Sequence, residues 1–172
     1  RDSSLSAFVQ AVVAAEVGHL ELAYDYFGEA AMLDLDDIYH NTRDGVHLAS
    51  LAGAWIAAVA GFGGMREHEG SLSFAPRLPQ QLSRLAFHLL FRGRWIRVEV
   101  DHRQASYTLL RGDPLDVAHH GTVITLAPDE VATCPVPPTP PVRTPDQPPG
   151  RAPSRSGRPD YGTGERQIGE PV

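Results

Sequence analysis

The sequence predicts an α+β protein with helices first, strands second and an unstructured proline-rich segment last. Three observations carry this. Apolar residues recur at helical spacing as far as Gly64, and they alternate at a period of two from Leu85 to Asp101. Eleven of the chain's fifteen prolines then lie between Pro135 and Pro171. Boundaries follow these changes: residues 1–66 are helical, 67–132 form sheet and 133–172 form a tail. A chain of 172 residues with 42% apolar content is long and apolar enough to bury a sizeable core.

In the first helix, Ser3, Ser4 and Ser6 offer N-cap hydroxyls, and Leu5, Phe8, Val9, Val12 and Val13 form the apolar set. Gly18 is placed to end it in the left-handed conformation. The second helix puts Leu20, Ala23, Tyr24, Phe27 and Ala31 on one face, leaving Glu21, Asp25 and Glu29 to solvent. A polar loop from Asp34 to Thr42 leads to the third, whose approach, Asn41 to Gly45, is rich in turn formers. Leu48 to Phe62 is then apolar nearly all round, the pattern of a helix covered on every side. Gly61, Gly63 and Gly64 end it.

The start of that third helix is the most informative place in the chain. His47 and Ser50 stand three positions apart and fall on one side of it. The first N–H groups of a helix lack partners within it and favour anions. Two polar side chains here serve either as a cap and a satisfied core histidine, or as a site for a phosphate or sugar hydroxyl.

From residue 71 to 127 the period is that of strands. Leu85, Phe87, Leu89 and Phe91 share one face, and Ile96, Val98 and Val100 oppose Trp95, Arg97, Glu99 and Asp101. Arg92-Gly93-Arg94 and His102-Arg103-Gln104 are hairpin turns. Shorter strands fit Ser106 to Leu110, Leu115 to Ala118 and Val123 to Leu126, with Gly112-Asp113-Pro114 and His120-Gly121 between them. Short strands with close turns make a small antiparallel β-sandwich. The tail is too poor in apolar residues to offset its ordering entropy. Val136-Pro137-Pro138-x-Pro140-Pro141 has the composition of a polyproline helix that an SH3-like module would bind, but is expected to be solvated without a partner.

Bulk properties exclude several classes. A formal charge of −6 without a basic run argues against nucleic acid. The apolar run Leu48 to Phe62 is short for a membrane span. Cys134 is the only cysteine, so no intrachain disulfide forms, and with no leader in view a cytoplasmic location is expected. The start at Arg1-Asp2-Ser3, without a methionine and at a helix start, is expected of a piece of a longer protein.

The ordered pattern Asp44-Gly45-Val46-His47-x-Ala49-Ser50-x-x-Gly53-x-Trp55 is followed by Gly61-Phe62-Gly63-Gly64 and Leu72-Ser73-Phe74-x-Pro76-x-Leu78-Pro79. Leu85-Ala86-Phe87-His88-Leu89, Arg92-Gly93-Arg94 and Arg97-Val98-Glu99-Val100 continue it. Upstream stand Ser3-Ser4-Leu5-Ser6, Ala14-Ala15-Glu16-x-Gly18 and Ala23-Tyr24-x-Tyr26-Phe27. Over about residues 2–127 this resembles the C-terminal part of glycoside hydrolase family 65. That family holds inverting phosphorylases of maltose, trehalose and kojibiose, with some hydrolases.

The resemblance implies that residues 1–66 close an (α/α)6 barrel, with His47 near the start of its most buried helix. It implies that residues 67–132 are the family's C-terminal β-sandwich, and that the tail is an individual extension. It further implies that His47 and Ser50 contact phosphate, with Gly45 letting the backbone approach. Substrates would be a disaccharide and inorganic phosphate, with no cofactor, and the resemblance allows a homodimer of the full-length protein. A hydrolase using water and an inactive scaffold are the alternatives.

The inverting reaction needs a protonated carboxyl group on the leaving oxygen and a nucleophile on the opposite face of the sugar. The family's general acid is expected N-terminal to Arg1. Glu16, Glu21, Glu29 and Glu67 match no motif, so no catalytic acid is identifiable, and Arg43 is a weaker phosphate candidate. His119 and His120 beside Asp116 do not make a metal site, since neighbours in a strand face opposite ways. Gly61 to Gly64 ends a helix rather than opening one, unlike a dinucleotide fingerprint. Cys134 lacks a nearby histidine and is not a nucleophile. Trp55 and Trp95 are read as core residues.

Overall fold

The computed structural model describes residues 5–38, 40, 42–140, 142–143, 145–148 and 150–153. The expected caps Ser3 and Ser4, the turn former Asn41, Pro141 of the proline motif and the tail from residue 154 lie outside them. Helix α1 is Ser6–Glu16, and it buries Ala7, Ala11, Ala14 and Ala15, while Leu5, Val9 and Val13 are exposed. The apolar set expected from side-chain size is thus largely on the wrong side. The reason is close approach. A Cβ added at Gly61 would sit 3.6 Å from that of Ala15, and one at Gly53 would enter the Phe8 ring. Only small residues fit such a seam. Ser6 is not a cap either, because Leu5 holds that position in helical conformation without a side-chain hydrogen bond.

The C-terminus of α1 follows expectation. Gly18 has φ +91°, its N–H donates to the Ala15 carbonyl at 3.1 Å, and the His19 N–H reaches Ala14 at 2.8 Å. This is the paired closure that a left-handed glycine permits. Helix α2, Leu20–Met32, buries Leu22, Ala23, Tyr26 and Ala30. Glu29, expected in solvent, is buried as well. The correction has a cause: α2 is covered on more than one side. Its Tyr26 hydroxyl donates to the Arg151 carbonyl at 2.7 Å, so the chain beyond the sheets lies across it.

Helix α3, Leu48–Ile56, passes into a wider π-helical segment, Ala57–Phe62, in which the Gly63 N–H reaches five residues back to Ala58 at 2.9 Å. The run is not covered on every side. Ser50, Gly53, Ala57, Val59 and Phe62 are buried, whereas Leu48 is 72% and Trp55 51% exposed. Among the described elements, α1 and α2 flank the first half. Trp95 is exposed too, so neither tryptophan is a core residue.

Eight strands follow: β1 Arg66–His68, β2 Ser71–Phe74, β3 Arg84–Phe91, β4 Arg94–Asp101, β5 Gln104–Arg111, β6 Leu115–His119, β7 Thr122–Leu126 and β8 Val131–Pro135. They form two four-stranded sheets, ordered β1-β2-β6-β7 and β3-β4-β5-β8. Both hairpin turns fall where glycine and polar residues place them, with Arg92 and Gly93 at φ +49° and +77°. Asp101 Oδ1 closes the other by accepting the Arg103 and Gln104 N–H groups at 2.7 and 2.8 Å. The sheets meet through Phe74 and Tyr107, whose ring centroids are 5.0 Å apart.

Two expectations for this half need correcting. The pairing is not wholly antiparallel, because β2 and β6, which are far apart in sequence, run parallel. Nor does structure stop at residue 132. β8 pairs with β5 as far as Gln104 with Pro135, and Cys134 lies in it, half-buried. The described residues beyond it pack onto the helices, with Val142 and Thr139 against Gly18. A proline-rich segment makes no ladder of its own, yet it can lie along a surface that others provide.

Two arginines join the halves. Arg77 donates to the Glu16 carbonyl at 2.6 Å at the end of α1, and Arg66 to the Ala60 carbonyl at 2.6 Å and the Glu16 carboxylate at 3.0 Å. Cations at helix C-termini answer unpaired carbonyls.

Candidate functional site

The site is built where the loop after α2 returns to start α3. Asp37, at φ +46°, accepts from the Thr42 N–H at 3.1 Å and its hydroxyl at 2.9 Å. That fixes a single turn at Thr42–Asp44, after which Gly45 takes φ +126°. A side chain is disfavoured there on conformational grounds, since no described atom lies within 4 Å of where a Cβ would stand. His47 follows as the residue before α3, its carbonyl accepting from the Ser50 and Leu51 N–H groups at 2.9 and 3.1 Å.

His47 is held by a residue that sequence reasoning passed over. Asp34 Oδ1 lies 2.6 Å from His47 Nδ1, and Asp34 Oδ2 accepts the His47 backbone N–H at 2.8 Å. The Asp34 side chain is 10% exposed and that of His47 23%, so water screens the pair only partly. The hydrogen bond from the His47 side chain holds the Asp34 carboxyl below the usual aspartate range, against the opposing effect of burial. An ionised carboxylate only accepts, so Nδ1 carries a proton. Thirteen positions separate the two residues, across a loop with no periodicity, and no motif signals such a pair.

The structure treats the other candidates differently. Ser50 is fully buried, and its hydroxyl donates to the Ala30 carbonyl at 3.2 Å, bracing α3 against α2. It belongs to the same seam as His47 but does not open to the surface. Arg43 is exposed, with its Nε 3.7 Å from the Asp44 carboxylate. Of the carboxylates, Glu16 pairs with Arg66, Glu21 accepts from Gln81 and Glu67 accepts the Gly70 N–H at 2.9 Å. These are structural uses.

His119 ends β6 and His120 stands in the turn beyond it, so strand alternation does not separate them, and their ring centroids lie 4.8 Å apart. His119 is buried, with Nε2 3.0 Å from the Pro135 carbonyl and Nδ1 2.7 Å from the Tyr107 hydroxyl. A carbonyl only accepts, so Nε2 carries the proton and Tyr107 donates to Nδ1. His120 sits in the following turn, at φ +44°, and burial lowers its pKa. No group of three or more metal-ligating side chains occurs among the described residues. No described helix is long and apolar enough to cross a membrane.

With this geometry in hand, comparison with known proteins is informative. Residues 1–56 match the model of the glycosyl hydrolase family 65 central catalytic domain, and residues 65–126 that of the family 65 C-terminal domain. An uncharacterized glycosyl hydrolase of Mycobacterium leprae is 53% identical over 156 residues, covering 89% of this chain and 20% of the relative. An alpha,alpha-trehalose phosphorylase of Thermoanaerobacter brockii is 41% identical over 130 residues, covering 76% and 17%. A solved human-microbiome protein named as a kojibiose phosphorylase superposes with a TM-score of 0.73 at 29% identity, over 78% of this chain and 18% of that one. The chain thus spans about a fifth of the length of the relatives it matches.

Proposed function

The chain belongs to glycoside hydrolase family 65, and on that premise we propose that it is part of a glycoside phosphorylase. Its reaction would cleave an α-glucosidic disaccharide with inorganic phosphate, releasing glucose 1-phosphate. The observation that carries the reading is His47, held by Asp34 at the start of α3 and following the open Gly45 turn. The start of a helix favours an anion, and His47 Nε2 can accept the hydrogen of a phosphate P–OH or, when the ring carries a second proton, donate to a phosphate oxygen.

Phosphate brings its own nucleophilic oxygen, so the protein need only orient it behind the anomeric carbon and protonate the departing oxygen. Attack from the face opposite an α-linkage inverts it and gives the β-anomer of the sugar phosphate. The acid is proposed to come from outside these residues, because Glu16, Glu21 and Glu67 have the structural partners given above. In this reading α1, α2 and α3 belong to an (α/α)6 barrel, whose further helices would cover Leu48 and Trp55. The two sheets form a β-sandwich that braces it.

A hydrolase is the second reading, and one observation favours it. The Ser50 hydroxyl is committed to Ala30 and sealed from solvent, which leaves His47 and backbone groups to hold the anion. The test is phosphate dependence of the full-length protein with trehalose, maltose and kojibiose. Glucose 1-phosphate formed only when phosphate is present supports the phosphorylase. Free glucose alone, released at the same rate without phosphate, supports the hydrolase.

A further inference from the structure

We propose that Asp34 is the positioning residue of the phosphate site: it fixes the tautomer and orientation of His47 so that Nε2 meets the phosphate and accepts the hydrogen of its P–OH group. The inference rests on the phosphorylase reading above and deepens it. Its basis is that one carboxylate grips His47 twice, by the ring at 2.6 Å and by the main chain at 2.8 Å. A ring nitrogen held alone still lets the residue swing with its backbone, and a backbone held alone leaves the ring to rotate about its side-chain bonds. Held together, ring and helix start move as one body.

The surroundings make Asp34 suited to this. It directly follows Leu33, which is fully buried at the end of α2, so its backbone is anchored by the core. The Ser50 to Ala30 hydrogen bond ties the same two helices one turn further in. Asp37, whose negative charge works against ionisation of Asp34, is itself occupied by Thr42. A carboxylate is also the right group chemically. As a pure acceptor it permits one arrangement of the ring, with the proton on Nδ1, whereas an amide or hydroxyl would permit both. Ligand histidines commonly depend on such an outer partner for tautomer and aim.

The alternative is that Asp34 merely staples the loop to α3. The two roles separate in the full-length protein with phosphate as the probe. Calorimetric titration of phosphate into Asp34→Asn should show affinity weakened by about tenfold to a hundredfold, the loss of one charge-assisted hydrogen bond. The KM for the disaccharide should stay within about twofold, because on this proposal Asp34 acts on phosphate alone. In a His47→Asn background, adding Asp34→Asn should weaken phosphate binding no further, since the carboxylate acts through the imidazole.

A mere staple gives the opposite pattern. Asp34→Asn would then lower the melting temperature while phosphate affinity holds, or it would weaken phosphate equally with and without His47. Either result overturns the proposal. Should Asp34→Asn fail to fold, Asp34→Glu keeps the charge on a longer stem and is read by the same affinities. A phosphate-dependent wild type with an unaffected Asp34→Asn sinks this inference alone. A wild type that neither binds nor uses phosphate sinks it together with the phosphorylase reading.

Discussion

His47 and Ser50 are neighbours in sequence pattern yet differ in kind, and substitution separates them. Ser50 is buried with its hydroxyl on the Ala30 carbonyl. Ser50→Ala removes that bond and leaves a buried carbonyl short of a partner, a loss of about 1–2 kcal/mol. On the phosphorylase reading His47 meets the anion, so His47→Ala should abolish phosphorolysis, at a stability cost of about 1–3 kcal/mol for the Asp34 carboxylate left without its ring partner. Thermal melts beside phosphorolysis assays of both variants read the contrast. If His47→Ala loses stability and activity in proportion, the histidine is structural. If Ser50→Ala keeps its stability but loses phosphate affinity, the hydroxyl turns to the anion in the working enzyme.

At the scale of elements, glycines set how closely the pieces approach. A Cβ at Gly53 would fall 2.2 Å from an atom of the Phe8 ring, where α3 crosses α1. At Gly64 it would fall 2.2 Å from the Ala75 carbonyl oxygen, with φ at +62°. The first clash is with a side chain that can rotate aside, the second with backbone on both partners. Gly53→Ala should therefore cost about 1–3 kcal/mol and Gly64→Ala more, since left-handed strain of about 1–2 kcal/mol adds to the overlap. Denaturant midpoints of the two variants rank them, and an equal or reversed ranking would refute the joint as described. Most elements were legible beforehand. Gly18 and Gly93 announce turns chemically, and β3 and β4 alternate over their full lengths. What was not legible depends on partners remote in sequence. α1 turns its alanines inward because of Gly53 and Gly61, Glu29 is buried on a helix covered from more than one side, and β2 pairs with β6 across the whole β3–β5 sheet. Asp34 was hidden for the same reason: a loop carboxylate shows its purpose only when its histidine folds back to it.

For the whole molecule, the decisive feature is the apolar surface left on the helical half. Leu5, Val9, Val13 and Val17 make an exposed stripe at four-residue spacing along α1, and Leu48, Leu51, Trp55 and Ile56 make another on α3. The sheet half differs, since its core is closed between two sheets around Tyr107, Ile96 and Val98. Contiguous exposed apolar surface of this kind favours association. The 172-residue chain prepared alone is therefore expected to self-associate. Light scattering after size exclusion should give masses above the 18.7 kDa monomer, and Val9→Glu with Val13→Lys should bring them back toward it. It should also release no glucose 1-phosphate from trehalose, maltose or kojibiose with phosphate. Holding an anion at His47 does not protonate a leaving oxygen, and general acid catalysis is worth about a hundredfold to ten-thousandfold. Turnover by the isolated chain above a no-protein control would mean that a carboxylate within it serves as the acid. Glu29, buried on α2, would be the first to replace. A monodisperse monomer of the unsubstituted chain would mean instead that the two stripes are covered within the molecule itself.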